Sequence, residues 1–214
     1  MQWGILFFLL LVTLPVYAGQ EKKSYLVMMG AGFFYGQTYA IPEESSDEKW
    51  EGGDGYGGGL IFERILTRRF GIHSGIWFGQ FTMKITSDDE DGSSSMETRS
   101  VLFTLPFYLL LRLNGRSFGA DLMAGINFSY ISETYLYEGS RGEGRSTNAR
   151  SFINTYQFGV GGGIRLRYRI TRFIDIFIAG IGERYLTSYV SQDENSPRSL
   201  LNFKLQSGVL MRVW

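Results

Sequence analysis

The segment VLFTLPFYLLLRLNGRSFGADLMAGINFSY, residues 101–130, decides the fold. From Val101 every second residue is apolar: Phe103, Leu105, Phe107, Leu109, Leu111, Leu113. The residues between them (Leu102, Thr104, Pro106, Tyr108, Leu110, Arg112) form a more mixed set. Asn114-Gly115 follows, the dipeptide best suited to a two-residue reversal because both positions tolerate positive φ. The alternation then resumes, with Phe118, Ala120, Leu122, Ala124, Ile126, Phe128 and Tyr130 on one face and Gly119, Asp121, Met123, Gly125, Asn127 and Ser129 on the other. Side chains of a strand alternate between faces, so this is a long hairpin with one wholly apolar face. Seven consecutive apolar positions on a face reach beyond the ~5–6 residues of an ordinary soluble strand. They suit a strand that crosses a membrane at a tilt, which needs about 9–11 residues.

The same pattern extends outward in both directions. A first strand is expected at about 24–37, with Tyr25, Val27, Met29, Ala31, Phe33 and Tyr35 on the apolar face and Gly30, Gly32, Phe34 and Gly36 opposite. A second spans about 55–65, Leu60 and Phe62 outward and Glu63 inward, and a third about 70–85 after a short Leu66-Thr67-Arg68-Arg69 turn. The alternation of the third blurs near Trp77 and Phe81, where a bulge is one reading. Strand six, about 152–170, carries Phe152, Tyr156, Phe158, Val160, Gly162, Ile164, Leu166, Tyr168 and Ile170 on one face, with Asn154 its polar member, and Thr155, Gln157, Gly159, Gly161, Gly163, Arg165, Arg167 and Arg169 on the other. Thr171-Arg172 leads to strand seven, about 173–190, with Ile174, Ile176 and Ile178 outward and Asp175 inward. Strand eight places Leu201, Phe203, Leu205, Ser207, Val209, Met211 and Val213 outward and Asn202, Lys204, Gln206, Gly208 and Arg212 inward. Short turns alternate with longer polar connections at 38–54, 86–98 and 133–151, and a short one at 192–198. The expected fold is all-β: a closed eight-stranded antiparallel up-and-down transmembrane β-barrel, with short periplasmic turns and longer extracellular loops. Closure removes the sheet edges, whose unpaired backbone groups would each cost several kcal/mol in hydrocarbon.

Which face is outside follows from what the mixed face contains. Its glycines fit a crowded interior better than a wet surface. Its charges can pair across a narrow lumen, Glu63, Asp121 and Asp175 against Arg112, Arg165, Arg167 and Lys204. Eight strands leave a lumen just wide enough for side chains to fill. Aromatics (Phe70, Tyr130, Tyr156, Tyr168, Phe173) sit near the ends of the apolar stripes, as interfacial girdles do. A soluble barrel with an apolar cavity is the weaker alternative.

The bulk composition agrees. The 214 residues carry 21 basic and 21 acidic groups, one histidine and no cysteine. A balanced charge speaks against a nucleic-acid partner, and the lack of cysteine excludes disulfides and thiolate metal sites. The 28 glycines are nearly twice the ~7% of ordinary chains. Residues 1–18, MQWGILFFLLLVTLPVYA, read as a signal peptide cleaved after Ala18, with an apolar core too short for a helical span and a Val16-Tyr17-Ala18 cleavage pattern. Residues 19–214 are then the barrel domain.

Thr104-Leu105-Pro106-Phe107-Tyr108-Leu109-Leu110-Leu111-Arg112 resembles the central strand of the bacterial outer membrane β-barrel domain families, in which a proline interrupts an apolar strand. The segment 118–130, with Gly125 and Asn127, resembles the strand that follows it. The resemblance covers about 24–214, in the OmpA/OmpX-like, porin-family style of Gram-negative-type envelopes. It implies an outer-membrane location with lipid and lipopolysaccharide as surroundings, and assembly by the barrel-assembly machinery. Trp214 looks like the C-terminal aromatic of the insertion signal, although it is one residue out of phase with Val209, Met211 and Val213.

Little in the chain points to catalysis or to a cofactor. His73 is the single histidine. Ser74 faces the other way, and the same-face neighbour of His73 is Gly75, so no positioned partner is apparent. Asp88-Asp89-Glu90-Asp91 offers oxygens for a hard cation, but lacks the spacing of a calcium loop and reads better as a solvated acidic loop. The clusters Gly57-Gly58-Gly59 and Gly161-Gly162-Gly163 have no following helix and do not fit a dinucleotide site. The expected function is that of a non-catalytic barrel displaying its loops, adhesin-like, to an extracellular ligand. A small porin is the alternative, with a lipid-modifying enzyme behind it.

Overall fold

The structure, a computed structural model, describes residues 26–41, 48–89, 92–113, 117–138, 146–148, 153–189 and 199–213. Eight long strands form the wall: β1 (Leu26–Ala40), β2 (Gly53–Ile65), β3 (Phe70–Asp89), β4 (Gly92–Leu113), β5 (Phe118–Glu138), β6 (Tyr156–Arg169), β7 (Ile174–Tyr185) and β8 (Leu200–Arg212). Each pairs antiparallel with its neighbours in sequence, and β1 pairs with β8, so the sheet closes on itself. Among the described residues there is no helix.

The two faces are those that alternation requires. Phe33, Leu60, Leu109, Ile164 and Leu205 are more than half exposed on the outside, while Ile61, Leu110, Asp121, Arg165 and Leu210 have no accessible surface within. Exposed aromatics cluster at the two rims: Phe70, Phe118, Tyr168 and Phe173 beside the short turns, and Tyr56 and Tyr156 toward the loops. On the loop side, the Tyr130 and Tyr156 rings lie 5.5 Å apart, and those of Phe78 and Phe103 5.0 Å apart. The apolar band between the rims is the lipid-facing belt.

The inward glycines leave room for large neighbours. A Cβ on Gly161 would stand 2.9 Å from Glu183 Cγ and 3.2 Å from the Tyr108 hydroxyl, and one on Gly32 would lie 3.2 Å from the Trp77 ring.

Several expectations from the sequence are corrected. No bulge interrupts β3 against β2, whose register runs unbroken from Ile65–Gly71 to Gly55–Phe81. Trp77 and Phe81 blur the alternation because they point inward and are buried; a small lumen accepts rings as readily as charges. Between β3 and β4 the pairing lapses from Ser74–Phe107 to Trp77–Thr104. Pro106, which has no N–H to give, lies in that gap. The bulge is in β5, where Val101 pairs with Glu133 but Leu102 with Ile131, leaving Ser132 extra.

The polar connections are also more regular than expected. β3 and β4 stay paired up to Asp89–Gly92, so most of 86–98 is strand. In 38–54, residues Glu48–Glu51 pair with β3 at Lys84–Ser87; in 133–151, β5 continues to Glu138 and Ser146–Asn148 pair with it. Backbone pairing persists there without the apolar stripe that would reveal it in sequence. The upper parts of β3, β4 and β5, flanked by these two short strands, form a raised sheet on one side of the barrel. On the other side β6 begins at Tyr156, later than expected, and β7 ends at Tyr185, earlier than expected. The Asn114-Gly115 reversal and the 192–198 connection lie outside the described residues.

The two described short turns share one hydrogen-bonded frame. In the β2–β3 turn, the N–H groups of Leu66 and Thr67 donate to the Phe70 carbonyl, and Thr67 Oγ1 accepts from the Arg69 and Phe70 N–H. In the β6–β7 turn, Ile170 and Thr171 donate to the Ile174 carbonyl, and Thr171 Oγ1 accepts from Phe173 and Ile174.

Candidate functional site

The lumen is built in layers, each set by the inward positions of facing strands. Nearest the short turns is a charge cluster centred on Arg165, which is fully buried. Its Nε and Nη2 donate to Asp121 Oδ2 at 2.9 and 2.6 Å, and Nη2 also donates to Glu63 Oε2 at 3.1 Å. Nη1 donates to Glu63 Oε1. Arg167 donates from Nε and Nη2 to the two oxygens of Asp121 at 2.7 and 3.1 Å, and from Nη1 to Asp175 at 3.3 Å. Arg112 lies 3.5 Å from Asp121, and Arg212 donates to Asp175 at 3.2 Å. Planar guanidinium groups suit this use, since one side chain can span two carboxylates. Charges held out of water in this way need such pairing to be tolerated at all.

The structure therefore brings Glu63, Arg112, Asp121, Arg165, Arg167 and Asp175 together. It does not bring Lys204 to them. Lys204 belongs to a second group, its ammonium donating to Glu183 Oε2 at 2.6 Å while the Tyr108 hydroxyl donates to Oε1 at 2.7 Å. Glu183 was legible from the inward phase of β7, two residues on from Ile181 and eight from Asp175. Arg212 followed from the phase of β8.

His73 joins the first cluster. Its Nδ1 lies 2.8 Å from Glu63 Oε1, and its ring stacks against Tyr108 at 6.1 Å. The pairing was hidden because Glu63 and His73 meet across the β2–β3 ladder, ten residues apart. Ser74 projects to the opposite face.

Above the charges comes a hydroxyl layer. Ser100 lies 2.9 Å from Thr134 and 2.8 Å from the Tyr189 hydroxyl, and Ser129 bridges Thr104 and Tyr185 at 2.8 and 3.0 Å. An apolar cluster including Phe81, Met83, Leu102, Ile131, Ile153 and Leu200 then closes the loop end. A cavity of about 20 Å³ beside Asn202 and Lys204 has room for about one water molecule. Among the described residues no group of three or more acids and histidines could hold a metal. The Asp88–Asp91 side chains and Trp214, expected to carry the insertion signal, lie outside the described residues.

A closed eight-stranded sheet with an apolar belt outside and paired ions within is the architecture of an integral membrane β-barrel. The chain belongs to the outer membrane protein beta-barrel domain family, whose model matches residues 18–181, and its place is the outer membrane. No curated protein matches it by sequence. Among solved structures it is similar to Neisserial surface protein A (10% identity, TM-score 0.47, covering 86% of this chain and 96% of that one). It is similar also to OprG from Pseudomonas aeruginosa (11%, 0.47, 89% and 96%) and to a major outer membrane protein from Thermus thermophilus (14%, 0.47, 86% and 98%).

Proposed function

We propose that this outer-membrane barrel is a non-catalytic scaffold that holds an interaction surface outside the cell. The observation that carries the reading is the raised sheet. β3 and β4 remain paired for eleven residues beyond the Phe78–Phe103 aromatic pair, to Asp89–Gly92. At ~3.3 Å per residue this is a blade of roughly 35 Å along the strands. Above the rim its outer flank changes from apolar to polar, and Tyr39, Asp54, Thr82, Lys84 and Glu97 line an open groove of about 280 Å³ there. A rigid sheet orders its side chains before a partner arrives, which lowers the entropy cost of binding.

The filled lumen supports this reading over the porin alternative. His73 is sealed inside the ion cluster, its ring held by Glu63 and stacked on Tyr108, which supports it over a lipid-modifying enzyme. The test removes residues 85–96 and joins Lys84 to Glu97 through a short turn, leaving the spanning wall intact. Vesicles bearing either form are assayed on surfaces coated with extracellular-matrix proteins and sulfated polysaccharides. Wild-type vesicles should adhere and shortened ones should not. Equal adhesion by both forms refutes the proposal, as does a well-resolved single-channel conductance of the wild-type barrel.

A further inference from the structure

The charges of the barrel are sorted by end as well as by face. In the periplasmic half, every acid among the described residues is buried: Glu63, Asp121 and Asp175 are at most 2% exposed. Among the described residues the exposed charges at that end are all arginines: Arg68, Arg69, Arg169 and Arg172, with Arg64 and Arg212 half-buried. Among the described residues, exposed acids (Asp54, Glu133) occur only toward the loops. The described part of the rim facing the periplasm is therefore strongly positive, although the whole chain is neutral.

The arginines are also placed, not scattered. Thr67 and Thr171 build the same turn frame in the β2–β3 and β6–β7 hairpins, four strands apart in a barrel of eight. Each frame sets an arginine immediately after its threonine. Girdle aromatics stand beside them: Arg172 Cζ lies 4.6 Å from the centre of the Phe173 ring, and Arg69 precedes Phe70. Aromatic girdles mark the headgroup level of a bilayer, so these guanidinium groups lie where lipid phosphates lie. Arginine matches phosphate oxygens with two parallel N–H donors.

We propose that the periplasmic rim is a binding collar for anionic phospholipid headgroups of the inner leaflet of the outer membrane. The collar recognises the net negative phosphodiester headgroup, as in phosphatidylglycerol, over the zwitterionic one of phosphatidylethanolamine. Basic groups near an anionic surface each contribute roughly a fivefold preference, and salt weakens it.

The test uses the full barrel folded in mixed micelles of equimolar phosphatidylglycerol and phosphatidylethanolamine, with retained lipid measured by native mass spectrometry. Wild type should retain phosphatidylglycerol about tenfold or more over phosphatidylethanolamine. The triple variant Arg68→Gln/Arg69→Gln/Arg172→Gln should lose that preference while keeping Thr67, Thr171 and the heat-dependent gel shift of a folded barrel. Replacement of the same arginines by lysine should keep most of it, since the charge remains. The loop-end control Lys84→Gln/Arg99→Gln should leave it unchanged. The collar is refuted if wild type shows no preference, if the glutamine triple retains it, or if the loop-end control loses it equally. Binding of the rim to isolated peptidoglycan without lipid selectivity would also overturn it.

Discussion

Replacing Arg165 with methionine removes the centre of the lumen cluster while nearly preserving volume. Four hydrogen bonds disappear, two to Asp121 and two to Glu63. The two carboxylates do not suffer equally. Asp121 keeps both bonds from Arg167 and the nearby Arg112, whereas Glu63 keeps only the His73 ring nitrogen among its contacts described above. Breaking a buried ion pair from one side costs roughly 3–5 kcal/mol, because the remaining charge is stranded. That corresponds to a ~100-fold to several-thousand-fold shift in the unfolding equilibrium. Arg167→Met should cost less, about 1.5–3 kcal/mol, since Asp175 retains Arg212 and Asp121 retains Arg165. Neutralising the stranded partner should recover part of the loss, so Glu63→Gln/Arg165→Met is expected to be more stable than Arg165→Met alone, with a coupling of about 0.5–3 kcal/mol. Urea unfolding in lipid vesicles measures this directly, with tryptophan fluorescence as reporter; Trp77 is buried in the lumen. An Arg165→Met barrel within about 1 kcal/mol of wild type, or a double variant less stable than the single, would show that this cluster does not secure the lumen.

Four further outcomes are expected. Gly161→Ala should destabilise by about 1–3 kcal/mol, because its methyl meets Glu183 and the Gly182 carbonyl at 2.9 Å; Gly180→Ala, with nothing within 4 Å, should change stability by less than ~0.5 kcal/mol in the same assay. Ile164→Arg places a charge on the lipid face between the Tyr156 and Tyr168 rims and should cost roughly 2–4 kcal/mol near the midplane, whereas Ile164→Leu should be nearly silent. Purified barrel in planar bilayers should give no stable single-channel conductance. Intact-mass measurement of barrel isolated from outer membranes should find Gly19 at the N-terminus.

The wall was legible because lipid enforces it. Within the bilayer the outward positions of β1, β4, β5, β6 and β8 are almost all apolar, Ser207 being an exception, and that requirement writes a period of two into the chain. The charge cluster was legible for the same reason, since an acid or arginine in inward phase has nowhere to go but the lumen. Which charges meet was less legible. Lys204 has the same phase as Arg165's partners, yet its height along β8 sets it opposite Glu183, and height depends on register between strands. The His73–Glu63 contact was invisible for the same cause. The raised sheet was missed because, outside hydrocarbon, nothing forces alternation; serines and acids there pair through their backbones.

Ser132 carries a consequence for how such a protein can change. Below it the odd-numbered residues of β5 point into the lumen, ending with Ile131; above it the even-numbered Thr134 does, held by a Ser132 hydroxyl that donates to the Val101 carbonyl at 3.3 Å. One surplus residue thus works as a phase joint. The half of β5 committed to the bilayer keeps its own reading frame of in and out, and the half beyond keeps another. Mutation can redraw the exterior portion without disturbing the part that hydrocarbon polices.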